Sequence, residues 1–140
     1  VAGRLAGAGT QHQAGGFYRI RYTGKPAYMP IALEAIETGM RITFSDPLDK
    51  EFTENVTHYK IQTWSLKRTA NYGSRHYDER ELVVKSAVLS QDRRTLFLEI
   101  PEIHPTWGME MRCELKGAAG NEPVTRVIHN SIHHLGKGLF

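Results

Sequence analysis

The chain has 140 residues, enough for one domain with a short tail or linker. Apolar residues make up 40% and charged residues 24%, a mixture that matches neither a membrane span nor a disordered polyelectrolyte. Lysine and arginine number 18 against 15 acids, a net charge of +3, and Cys113 is the single cysteine, which excludes an internal disulfide, a c-type haem attachment and a zinc ribbon.

Residues 1–16 are rich in glycine and alanine without apolar periodicity, and read as a tail or the remnant of a preceding domain. Arg4, Arg19, Arg21 and Lys25 precede the first acid, Glu34, but they are too dispersed to form a basic patch, so no nucleic-acid partner is expected. A start at Val1 rather than Met fits a processed or excised segment. No run approaches the roughly 18 apolar residues of a membrane helix, so no membrane insertion is expected.

From Phe17 the pattern becomes period-two: Tyr18, Ile20 and Tyr22 alternate with Phe17, Arg19 and Arg21, which predicts an N-terminal strand followed by a linker, residues 17–38. Ile31 to Ile36 fits a short strand or a helical turn equally. Beyond Thr38-Gly39, strand patterns recur with turn chemistry between them. Met40, Ile42 and Phe44 alternate inward until Asp46-Pro47, and a loop through Asp49, Glu51 and Asn55 leads to a strand with Tyr59 and Ile61 on one face and Lys60, Gln62 and Trp64 on the other. Val83 to Leu89 and Leu96 to Ile100, joined by Gln91-Asp92-Arg93-Arg94, form a hairpin. Met109, Met111, Cys113 and Leu115 alternate with charged residues, and Val124 to Ile132 is the last strand. No helical apolar stripe occurs, so the expected fold is all-β: a two-sheet antiparallel β-sandwich of six to eight strands over residues 39–140, with a long inserted loop.

That loop, Leu66 to Glu81, is longer than compact domains usually tolerate without a function. It contains Arg68, Asn71, Tyr72, Arg75, His76 and Tyr77 and follows Trp64, which the alternation places on the polar face. Aromatic faces beside planar polar groups suit a polysaccharide or oligosaccharide: the rings take the C–H face of a sugar, the polar groups its hydroxyls. Trp107, in phase with Met109 and Met111, is expected in the core, as is Cys113. His76 and His129 are the weak metal candidates. His129 and His133 stand roughly 13 Å apart along a strand, too far to share one ion. Asp46 and Asp49 fit turn amides better than a calcium loop.

Ile42-Thr43-Phe44-Ser45-Asp46-Pro47-Leu48-Asp49, His58-Tyr59-Lys60-Ile61, Ser86-Ala87-Val88-Leu89-Ser90 with Arg94-Thr95-Leu96, and Leu115-Lys116-Gly117-Ala118-Ala119-Gly120-Asn121 occur in that order. Together they resemble the bacterial Ig-like domains first described in surface-layer proteins. Tyr18 to Pro26, Ala70 to Tyr77 and Ile128 to His133 are similar to the C-terminal region of large secreted bacterial proteins of the sorbosone-dehydrogenase-like or cytochrome-bearing type, which carry a β-propeller and haem domains upstream. The resemblance implies a secreted, cell-surface or periplasmic location and no cofactor in this segment. It also implies an accessory role beside other domains of the parent chain, with any catalysis in those domains. The expectation is therefore a non-catalytic carbohydrate-binding module, with a spacer or docking domain and a His-based metal protein as the alternatives.

Overall fold

The computed structural model describes residues 17–70 and 72–138; the expected tail, residues 1–16, lies outside them. The strands are β1 (Pro30–Ile36), β2 (Gly39–Phe44), β3 (Tyr59–Ser65), β4 (Tyr77–Leu82), β5 (Ser86–Leu89), β6 (Thr95–Glu99), β7 (Thr106–Leu115) and β8 (Val124–Ile132). They form two four-stranded antiparallel sheets, ordered β1-β2-β6-β5 and β4-β3-β7-β8, packed as a β-sandwich.

The core follows from the alternation. Met40, Ile42 and Phe44 of β2 and Leu96 and Leu98 of β6 join Ile61, Met109, Met111, Cys113 and Leu115 of the second sheet in one apolar cluster. Burying each large side chain stabilises the fold by about 1.5–3 kcal/mol. Hydrogen bonding then fixes the register: Tyr59 opposes Cys113 and Thr63 opposes Met109, so both inward sets face the same interior.

Several segments differ from expectation. Phe17 to Tyr22 forms no strand, and Phe17, Tyr18, Ile20 and Tyr22 are 71–98% exposed. Alternation describes a face, but a strand also needs a neighbour to take its amides, and none among the described residues lies alongside. Residues 31–36 resolve as β1, an edge strand paired with β2, so the first sheet begins at Pro30 rather than at residue 39. The long loop ends at His76, because Tyr77–Leu82 pairs with β3 as the second sheet's edge. Within the predicted loop before β3, Asp49 caps a four-residue helix, α1 (Lys50–Thr53), by accepting from the Phe52 amide.

Asp46 accepts from the Ala27 and Tyr28 amides and from the Ser45 hydroxyl, and so anchors the approach to β1. Tyr28 is buried, and its hydroxyl donates to Asn121 Oδ1 at 2.8 Å. At the other end of β1, Gly136 lies parallel to Ile36: the Gly136 amide donates to the Ala35 carbonyl at 2.9 Å, and the Glu37 amide donates to the Gly136 carbonyl at 3.1 Å.

Candidate functional site

At one end of the second sheet, β3, β7 and the loop of residues 66–76 converge on both tryptophans. On β3, Tyr59, Ile61 and Thr63 point inward, so Trp64 faces out and is half-buried. Directly opposite it on β7 stands Gly108. A Cβ there would lie 2.2 Å from Trp64 Nε1, so only glycine leaves room for the indole to lie against the neighbouring backbone. The His76 ring stacks on the indole, with centroids 4.1 Å apart and planes 15° off parallel. Trp64 is therefore outward as expected, but it is a supported wall beneath His76 rather than a bare platform.

The bare platform is Trp107, which is 63% exposed, against its expected place in the core. The cause is a β-bulge. Thr106 pairs with Ile132 and Met109 with Asn130, so β7 advances three residues while β8 advances two. The extra residue breaks the phase with Met109 and turns Trp107 outward. Ser131 Oγ donates to the Trp107 carbonyl at 2.6 Å, and the His133 ring meets the indole edge-on at 6.2 Å. The Thr106 hydroxyl donates to the Trp64 carbonyl at 3.1 Å, tying the bulge to β3. Trp64 and Trp107 line one hollow of about 300 Å³ together with His104, Pro105, Asp78 and Arg80.

The loop closes on itself where Ser74 Oγ accepts from the Lys67 amide at 3.0 Å. Trp107, Leu66, Lys67 and Arg68 line a hollow of about 560 Å³ at the crest of this loop. Tyr72, Arg75 and Tyr77 line a second one of about 410 Å³. Lys67 Nζ sits 4.6 Å over the Tyr77 ring, a cation–π contact. The structure thus brings Trp64 together with His76, and places Arg68, Tyr72, Arg75 and Tyr77 around one crest; Asn71 lies outside the described residues. Trp107, Lys67 and Leu66 are the residues that sequence reasoning left out of the site. For Trp107 a signal was present, since an isolated glycine in a strand marks a bulge or a close backbone approach, and Gly108 sits beside one and makes the other.

His76 Nδ1 lies 3.0 Å from Glu79 Oε1, and His129 Nε2 lies 2.9 Å from Glu110 Oε2. Among the described residues, no group of three or more His, Cys, Asp or Glu side chains is placed to hold a metal ion. His129 and, next, Arg112 hold the Glu110 carboxyl below its ordinary range. Cys113 is enclosed by the core, and burial pushes its thiol up to about 12, which suppresses the thiolate that nucleophilic chemistry requires. Comparison with known protein families, curated proteins and solved structures finds no match to this chain.

Proposed function

We propose that this chain is a non-catalytic, Ig-like module of a secreted or cell-surface bacterial multidomain protein, and that it binds polysaccharide at the Trp107 end of its second sheet. The carrying observation is the exposure of Trp107 beside a loop that presents Tyr72, Arg68 and Arg75. A bulge that turns a large aromatic into solvent forgoes the burial of its apolar area, about 150–250 Å² for such a ring, and a ligand that covers the ring recovers it. Sugars suit the arrangement because the indole takes their C–H face while guanidinium and hydroxyl groups meet their hydroxyls. Fluorescence titration with a panel of soluble polysaccharides tests it: a saturable change lost in Trp107→Ala and kept in Tyr18→Ala is expected. No response across the panel would overturn it.

A second reading, a spacer that docks on a neighbouring domain, is favoured by one observation. Phe17, Tyr18, Ile20 and Tyr22 form an exposed apolar run with no partner among the described residues. Self-association of the isolated chain that disappears on Ile20→Asp, without any polysaccharide response, would favour that role instead.

A further inference from the structure

The two hollows at the loop crest share Thr69, Gly73 and Ser74, and each joins an aromatic ring to a guanidinium: Trp107 with Arg68, and Tyr72 with Arg75. Arg41 stands beside Glu34, Lys85 beside Glu99 and Arg112 beside Glu110. Arg68 and Arg75 have no such partner among the described residues, and no acid occurs in the sequence from Leu66 to Tyr77. Lys67 adds a third cation to the same crest, held over Tyr77. Like charges carried on one loop repel one another, and an anion laid across them removes that repulsion. A guanidinium also presents a planar fork that matches a carboxylate or a sulfate with two parallel hydrogen bonds.

Resting on the polysaccharide reading above, we infer that the ligand is an acidic polysaccharide. Its carboxylate or sulfate groups pair with Arg68 and Arg75 while its sugar rings lie on Trp107 and Tyr72.

The test uses matched polymers that differ only in charge: polygalacturonate against its fully methyl-esterified form for carboxylate, and dextran sulfate against dextran for sulfate, with poly(dT) as a polyanion lacking sugars of this kind. Binding is followed by tryptophan fluorescence at low and at physiological salt. The charged member of at least one pair is expected to bind more tightly, by about 1.5- to 5-fold per arginine engaged. That advantage should disappear in Arg68→Gln/Arg75→Gln, whose melting temperature stays unchanged because both side chains are exposed. Which pair responds assigns the anion as carboxylate or sulfate. Equal binding of charged and neutral partners overturns the acidic assignment and leaves the polysaccharide reading standing. Binding of poly(dT) as tightly as the acidic polymer overturns it in favour of a nucleic-acid surface. Silence toward every polymer removes both the assignment and the reading it rests on.

Discussion

Gly108→Ala probes how the two tryptophans are set. The added methyl would stand 2.2 Å from Trp64 Nε1 and 2.3 Å from Cε2, well inside the ordinary carbon contact distance of about 3.5–4.0 Å. The β3–β7 ladder fixes the backbone on both sides, so the indole must move and its stack on His76 is disturbed. Overpacking of this kind costs about 1–3 kcal/mol. Replacing a glycine that has no left-handed backbone requirement returns about 0.4–1 kcal/mol through the unfolded chain. The net expectation is a loss of about 0.5–2 kcal/mol, read as a lower midpoint in urea and an altered near-ultraviolet signal. In a Trp64→Ala background the clash is gone, so adding Gly108→Ala should be neutral or stabilising, and the double-mutant cycle should give a coupling of about 1–3 kcal/mol. A coupling below about 0.5 kcal/mol, or a stabilising Gly108→Ala in the otherwise native chain, would refute the packing described for this site.

Trp107→Ala should leave stability within about 0.5 kcal/mol, because the indole is 63% exposed, while removing the more solvent-exposed part of the emission; a larger loss of melting temperature would place Trp107 in the core after all. The Ser45 hydroxyl and the Tyr28 and Ala27 amides hold the Asp46 carboxyl below its ordinary value of 3.8. Its contribution is therefore present above that value and disappears as pH falls through the lower folded-state value, so melting temperature measured down the acid limb should drop less steeply in Asp46→Asn than in the native chain. Cys113 should resist a thiol reagent at about pH 8 until the chain unfolds, with labelling that follows the urea transition; rapid labelling of the native chain would contradict its burial. Asp49→Ala should cost about 1 kcal/mol by uncapping α1, and Asp49→Ser should restore most of it in a urea midpoint.

The legible parts of the fold are those where one residue's neighbours along the chain decide its environment. Met109 to Leu115 and Val124 to Ile132 are strands as their alternation indicates, and the Ser86–Leu89 and Thr95–Glu99 hairpin closes through its polar turn. Where a distant partner decides, the pattern misleads. Phe17 to Tyr22 alternates with no strand beside it among the described residues, whereas Tyr77–Leu82 carries Asp78, Glu79, Arg80 and Glu81 in a row and is still a strand, because β3 supplies its hydrogen bonds. For Trp107 the alternation with Met109 misleads for the same reason: its direction is set by a mismatch in length between β7 and β8, at which the neighbouring Gly108 is the one sequence cue. The aromatic and cationic loop is legible in composition, but its closure through Ser74 on Lys67 is not.

The parallel contact between Ile36 and Gly136 has a mechanical consequence. The earliest strand of the sandwich and its closing segment run side by side in the same direction, so tension applied at residues 30 and 138 draws them past one another lengthwise. The Gly136–Ala35 and Glu37–Gly136 hydrogen bonds then share the load together instead of opening in succession, as they would in a peeling geometry. The Ile36–Gly136 contact thereby fastens β1 to the segment after β8 against extension between residues 30 and 138.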